Sequence, residues 1–214
     1  MRGSSVVYVT LAAGLAIAAG VAASLWWRNA ADARLPKIGG YVLQEPRALG
    51  AFELVDESGA NFAPKDFAGR WSFLYFGYTY CPDVCPLTLV ELGELKKKLA
   101  ERTPSAAVAF YFVSVDPDRD TPERLREYVT YFDPELRALT GDPAQLAVLA
   151  HAAGAVYFVP PGQDEKSYLV SHSSNIALLE PSGRLRAIFT SPHVAAQLAD
   201  DFAAIFARYG AAPR

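Results

Sequence analysis

The two cysteines of the 214-residue chain, Cys81 and Cys85, are separated by three residues and offer the clearest chemistry in the sequence. They follow an apolar run, residues 71–76, that is typical of a buried strand. A strand that leads two thiols to the start of a helix supports two kinds of chemistry. The pair can cycle between dithiol and disulfide, or it can chelate a soft metal ion. Two unrelated buried cysteines are the third interpretation, against which Pro82 and Pro86 argue.

The spacing of the thiols is compatible with both chemistries. If Cys81 caps the helix and Pro82 is its first residue, Cys85 lies one turn further on. Side chains four residues apart share a helix face, with Cβ atoms about 5–6 Å apart. The helix N-terminus favours the thiolate form, and the charge of Asp83 partly offsets that effect. Most thiol–disulfide exchangers have two intervening residues rather than three, so this spacing weakens the case for a dedicated oxidoreductase.

The elements that must position the thiols alternate between strands and helices. Thr121 is a predicted N-cap, and Pro122 occupies the first position of its helix. This order predicts an α/β fold of thioredoxin-like layout, with helices on both faces of a central sheet and the cysteines at a strand-to-helix turn. The predicted strands are 52–56, 71–78, 108–115, 137–139, 156–159, 175–179 and 185–189; helices are expected after Pro86 and over 121–132, 143–153 and 192–209, with a loop over 160–166.

Two thiolates leave a metal site incomplete, so a histidine is the next candidate ligand. His151 falls in the last turn of a predicted helix and His193 at a helix start, where ordinary surface histidines are expected. His172 lies after a loop and just before a strand, and such a loop can reach the cysteine turn in a thioredoxin-like sheet. Two thiolates with one imidazole suit Cu(I) and tolerate Cu(II). Structural zinc usually takes four protein ligands, and no fourth is evident.

Three separated motifs resemble the Sco/SenC family in one continuous order. They are FGYTYCPDVCP at 76–86, VSVDPDRDTP at 113–122 and VSHS at 170–173, and the resemblance spans roughly residues 50–205. The family consists of thioredoxin-fold, membrane-tethered copper proteins. Its members help to assemble the binuclear copper centre on the second subunit of cytochrome c oxidase.

The resemblance implies a ligand set and its surroundings. Cys81, Cys85 and His172 are expected to bind copper. Asp116 is placed on a loop near the site. Both Asp116 and Asp83 are expected either behind the ligands or on a docking surface. The plainer interpretation of residues 116–121 is a turn at the end of a strand followed by a helix cap. The family usually has an acidic residue just before the histidine, and Ser171 stands there in this chain.

Three functions remain open at this point, and the first is a copper metallochaperone rather than an enzyme. It would use all three ligands, with subunit II of the oxidase as acceptor and a copper donor or thiol reductant as a further partner. The second is a thiol–disulfide reductase, which needs only Cys81 and Cys85. The third is a peroxidase-like relative, which would need a basic residue beside Cys81 that the sequence lacks. Copper sensing or signalling is the remaining alternative.

The N-terminal segment predicts a membrane anchor. Residues 6–27 contain no charged side chain and would span roughly 33 Å as a helix, enough to cross a bilayer. Trp26 and Trp27 suit the membrane interface. A cleaved signal peptide, cut near 31–33, is the alternative. Both alternatives export the remaining chain, so the expected location is the inner membrane, single-pass, with the soluble domain on the periplasmic side.

Composition sets the outer limits on function and organisation. A net charge of −3 gives no electrostatic footprint for nucleic acid, and two cysteines are too few for a disulfide scaffold. We expect an anchor over 1–28, a linker over 29–49 and the thioredoxin-like copper-binding domain over 50–209.

Overall fold

The computed structural model describes residues 3–32, 35–160 and 168–210, without the side chains of residues 3–12 and 28–32. Two compact units are distinguished, Met1–Leu35 and Pro36–Arg214. The predicted loop over 160–166 lies outside the described residues except for Pro160.

The first unit contains helix α1 (Gly3–Asp32). Within the described part of the chain, no helix combines the length and hydropathy needed to cross a membrane. The predicted span covers residues 6–27, and the side chains of its first part, 6–12, are not among those that the structure describes. The anchor therefore stays a prediction.

The second unit is built from strands and helices that follow the predicted order. Its described strands are β1 (Gly40–Arg47), β2 (Leu54–Asp56), β3 (Asn61–Phe62), β4 (Trp71–Gly77), β5 (Val108–Ser114), β6 (Arg137–Thr140), β7 (Tyr157–Phe158), β8 (Ser171–His172), β9 (Ile176–Leu179) and β10 (Leu185–Phe189). Its described helices are α2 (Val84–Arg102), α3 (Pro122–Phe132), α4 (Pro143–Ala153) and α5 (Ala195–Tyr209), with a short 3-10 helix at Pro64–Phe67.

Eight of these strands form one mixed sheet in the order β1-β10-β9-β4-β5-β6-β2-β3. Strand β5 pairs in parallel with β4 and with β6, and the flanking pairs are antiparallel. Strands β7 and β8 form a separate two-stranded ribbon. The thiols follow β4 and the histidine lies on β8, so the candidate ligands come from two different sheets.

Strand β4 is central because both of its faces are apolar. Phe73 and Tyr75 pack into one hydrophobic cluster, and Leu74 and Phe76 pack into another on the opposite face. This alternation is the two-residue period of a strand. Every residue of β4 is buried, which confirms the prediction of a strand covered on both sides.

Helices cover both faces of the sheet, as predicted. Helices α2, α3 and α5 contribute Leu92, Val129 and Phe202 to one cluster, whereas α4 contributes Leu149 to the other. Thr121 caps α3, since its side chain accepts a hydrogen bond from Arg124 N, with Pro122 in the first turn. The predicted α/β thioredoxin-like architecture is therefore confirmed.

The linker predicted over 29–49 is wrong for its second half. Strand β1 pairs with β10, with Gly40 opposite Phe189 and Tyr41 opposite Ile188. A Cβ atom at position 40 would lie 2.0 Å from the carbonyl oxygen of Ile188. Gly40 is thus required for close strand pairing, and the folded unit begins earlier than predicted.

Candidate metal centre

The cysteine turn joins β4 to α2, and the helix begins two residues later than it would if Cys81 capped it. Cys81 does not cap it: Asp83 is the N-cap and Val84 the first helical residue. The reason is a turn closed by Cys81 N–H, which donates to the carbonyl of Tyr78 at 3.2 Å. Cys81 therefore precedes the helix, and only Cys85 lies in its first turn.

The structure nevertheless brings the three predicted ligands together. One ligand atom each from Cys81, Cys85 and His172 lies within 4.8 Å of the other two. The sulfur of Cys85 is 3.4 Å from Nε2 of His172. Within the described residues, no other histidine, cysteine or carboxylate joins this cluster. Two sulfurs and one imidazole nitrogen form a donor set that fits a soft metal ion.

The ring of His172 is oriented with Nε2 towards the thiols. Its other nitrogen, Nδ1, lies 3.1 Å from the carbonyl oxygen of Ser173, and only a protonated Nδ1 can donate to that oxygen. Nε2 is then unprotonated and offers its lone pair to the cluster. Burial lowers the pKa of His172, so the neutral, metal-binding form prevails at neutral pH.

Cys85 forms the inner wall of the site. Its side chain is fully buried, and burial raises the pKa of its thiol. The hydroxyl of Tyr75 donates to its sulfur at 3.7 Å. Behind it, a Cβ atom at position 77 would lie 2.7 Å from that sulfur, so Gly77 is needed for the close approach of strand and thiol. The thiol stays protonated until a cation displaces the proton.

Because Cys81 is partly exposed and Cys85 is buried, the two thiols should react at different rates. We expect iodoacetamide to alkylate Cys81 of the reduced chain at least about tenfold faster at neutral pH. The raised pKa of Cys85 means that its own rate should climb as pH increases into the alkaline range. Mass spectrometry of peptides after timed quenching measures both rates. Equal rates at neutral pH would contradict the burial of Cys85.

Asp120 fastens the cysteine turn to the end of β5. Its carboxylate accepts from Thr79 N at 3.0 Å, from the Thr79 hydroxyl at 2.7 Å and from the Ser114 hydroxyl at 2.6 Å. All of these groups are buried. The segment that leads to Cys81 is therefore held against the sheet by three hydrogen bonds to one carboxylate.

Replacing Asp120 by alanine should destabilise the fold. The change leaves Thr79 N and the Ser114 hydroxyl buried without this acceptor, which costs about 1–3 kcal/mol. Urea denaturation of the Asp120→Ala variant measures the loss. The matched control is Asp118→Ala, because Asp118 lies in the same loop with an exposed side chain. Similar midpoints for both variants would show that the network contributes nothing.

The other predicted candidates lie outside the cluster. His151 is exposed in the last turn of α4, as expected. His193 is partly buried rather than on the surface, and its Nε2 donates to the carbonyl of Ser174 at 2.5 Å. Asp83 is exposed and its side chain makes no capping hydrogen bond. Asp116 is buried, which leaves it no surface for docking.

Several residues around the ligands were missed by the sequence analysis. The rings of Tyr75 and Tyr78 stand edge-on to His172, with ring centroids 6.2 and 5.9 Å away. Tyr75 carries only the signal of a buried strand residue, and Asp120 that of a helix cap. Neither signal reveals that the side chain points to the thiols or their turn.

Fold and site together define a class: a thioredoxin-like α/β domain with a Cys-Cys-His centre for a soft metal. Comparison with known proteins makes this specific. The SCO1/SenC family model matches residues 42–207, so the chain belongs to the SCO1/SenC family.

Individual relatives agree with that assignment. The chain is 40% identical over 151 residues to a Stutzerimonas stutzeri protein named for copper binding, covering 71% of this chain and 73% of that protein. It is 36% identical over 151 residues to the human mitochondrial SCO2 homologue, covering 71% of this chain and 57% of that protein, a little over half its length. The copper-bound crystal structure of Arabidopsis thaliana ScoI superposes with a TM-score of 0.69 at 33% identity, covering 75% of this chain and 98% of that one.

Proposed function

We propose that this protein is a copper metallochaperone that carries copper on Cys81, Cys85 and His172. The observation that carries the proposal is the convergence of two sulfurs and one imidazole nitrogen within 4.8 Å. Copper is favoured over other soft ions because the Arabidopsis relative was solved with copper bound. The acceptor we propose is the binuclear copper site of cytochrome c oxidase subunit II.

The unequal exposure of the thiols suits delivery of a metal. Cys85 is buried and holds the ion from the protein side, whereas Cys81 and His172 are partly exposed. An incoming thiolate or imidazole of the acceptor can replace Cys81 first and the other ligands afterwards. Three protein ligands leave the coordination sphere open to such an exchange.

The test is copper transfer between purified proteins. The full-length reduced chain, loaded with one equivalent of Cu(I), is mixed with the reduced copper domain of subunit II, and copper is followed after separation. We expect one tightly bound copper per chain and its appearance on the acceptor. Copper that stays on the chain, or a chain that takes up none against a competing chelator, would refute the proposal.

A thiol–disulfide reductase is the second candidate, favoured by the pairing of a partly exposed with a buried thiol. The Cys81 thiolate would attack a disulfide of the acceptor and release one of its sulfurs as a thiol. Cys85 would then displace the second sulfur, leaving a Cys81–Cys85 disulfide and a reduced acceptor. An external dithiol would restore the pair. With Cys85→Ser, a trapped mixed disulfide with the oxidised acceptor would support this role, and its absence would exclude it.

We also propose that the N-terminal segment anchors the chain in the inner membrane, with the second unit on the periplasmic side. The support is the uncharged run over 6–27 and the exposed side chains of Trp26 and Trp27 on α1. Alkaline carbonate extraction of membranes tests the anchor. Protease digestion of spheroplasts tests the side, and a chain that resists digestion in intact spheroplasts would contradict it.

A further inference from the structure

One arginine contacts both of the segments that carry the ligands. The guanidinium carbon of Arg119, in the loop after β5, is 4.8 Å from the ring centroid of Tyr80 and 3.6 Å from that of Tyr168. Tyr80 directly precedes Cys81, and Tyr168 lies four residues before His172. Arg119 thus links the cysteine turn to the histidine segment through its stacked rings.

Polar contacts fix the guanidinium in place. Its Nε lies 2.5 Å from Oδ2 of Asp116, and its Nη1 donates to the carbonyl of Tyr168 at 3.1 Å. The hydroxyl of Tyr168 donates to the other oxygen of Asp116. The side chains of Arg119 and Asp116 are only 9% and 1% exposed. Such a buried, paired arginine has one arrangement rather than many.

The histidine segment needs this support more than the cysteine turn does. The cysteine turn is already tied to the eight-stranded sheet by Asp120. His172 lies on β8, a two-residue strand whose pairing among the described residues is with the two-residue strand β7. Two short strands alone form a ribbon of marginal stability. The contacts of Arg119 with Tyr168 add a second connection between this segment and the loop beside the thiols, next to the ring contact of Tyr78 with His172.

We propose that Arg119 is a positioning residue that sets His172 against the two thiols and so preorganises the three-ligand centre. The inference rests on the proposed copper site and assigns no copper contact to Arg119. Its contribution is to hold the ligands at binding distance before the metal arrives, which spares the ordering that binding would otherwise require.

A double-mutant cycle on Cu(I) affinity tests the proposal. Competition with a Cu(I) chelator is measured for the full-length reduced chain, Arg119→Gln, His172→Ala and the double variant. We expect Arg119→Gln to weaken binding about 10–100-fold, the range found for residues behind metal ligands. In the His172→Ala background, Arg119→Gln should weaken Cu(I) binding by less than about twofold, because there is no imidazole left to position. The Cu(II)-loaded Arg119→Gln variant should also lose imidazole nitrogen coupling in its electron paramagnetic resonance spectrum.

Two further variants separate positioning from charge and from stability. Arg119→Lys keeps the positive charge but lacks the planar group, and it should not restore affinity. The matched stability control is Arg186→Gln. Arg186 is also buried, pairs with Glu180 and stacks 4.2 Å from the ring centroid of Tyr209, in a different part of the fold. Its loss should lower the unfolding midpoint and leave copper affinity unchanged.

Each outcome decides between the alternatives. Equal losses from Arg119→Gln with and without His172 would overturn positioning, and full rescue by lysine would show an effect of charge alone. If His172→Ala leaves Cu(I) affinity unchanged, the Cys-Cys-His site itself is refuted. If both Arg119 variants fail to fold, Tyr80→Leu removes the half-exposed ring of the stack. If Tyr80→Leu weakens Cu(I) binding in the parent chain but not in the His172→Ala background, the proposal is still supported. If Tyr80→Leu leaves Cu(I) binding unchanged in the parent chain, the proposal is rejected.

Discussion

Replacing His172 by alanine is expected to weaken Cu(I) binding by more than about 100-fold, because it removes one of three ligands. Changes behind a metal ligand already cost about 10–100-fold, so loss of a ligand must exceed that range. The neutral imidazole already faces the Cys85 sulfur, with Nε2 at 3.4 Å, so it needs little movement to bind the ion. Chelator competition on the reduced chain measures the effect.

The same variant separates the two candidate functions. Dithiol–disulfide exchange needs Cys81 and Cys85 only, so His172→Ala should keep a measurable reduction potential and its reactivity with a disulfide. His151→Ala is the control, since that histidine is exposed on α4 and outside the cluster. Equal copper affinity in His172→Ala, His151→Ala and the parent would eliminate the three-ligand centre and favour the reductase.

The ligands could be predicted from the sequence because each lies beside a strong local signal. The apolar run before Cys81 predicts a buried strand, and the prolines around the thiols predict a turn. The alternation of strands and helices then orders the sheet so that β8 can approach that turn. His172 was selected by its place before a strand, and the 3.4 Å separation from Cys85 confirms that the fold brings them together.

The residues that hold the ligands could not be predicted in the same way. Gly77 is needed because the Cys85 sulfur and the Phe112 ring pack against it, and no local pattern contains these long-range contacts. Arg119 and Tyr168 are 49 residues apart and meet only in the folded chain. Asp120 resembles a helix cap in the sequence, yet its carboxylate binds Thr79. Long-range packing determines these contacts, whereas periodicity reports local structure alone.

The start of α2 illustrates the same limit on a smaller scale. Pro82 after Cys81 matches the preference for proline in the first helical turn, so a helix that begins there is compatible with the sequence. The hydrogen bond from Cys81 N–H to Tyr78 closes a separate turn and delays the helix to Val84. A helix that began at Pro82 would make Cys81 its N-cap residue. In the observed turn Cys81 N–H instead donates to the carbonyl of Tyr78, one of the tyrosines that Arg119 contacts.

Loading the reduced chain with copper should raise its thermal stability substantially. Unfolded chains still offer two thiols, so the gain depends on how much more tightly the folded centre binds than the unfolded dithiol. If His172 contributes more than about 100-fold, saturating copper stabilises the fold by at least about 2.7 kcal/mol. For a unit of this size that corresponds to an increase in Tm of roughly 5–11 °C.

The comparison with His172→Ala turns this stabilisation into evidence about the folded centre. Scanning calorimetry of the parent with and without one equivalent of Cu(I) gives the first shift, and the same pair for the variant gives the second. The variant retains both thiols in its folded and unfolded states, so copper should stabilise it much less. An equal shift in both proteins would mean that the thiols alone bind the metal. The imidazole of His172, although it lies 3.4 Å from the Cys85 sulfur, would then add nothing to the copper affinity of the folded chain.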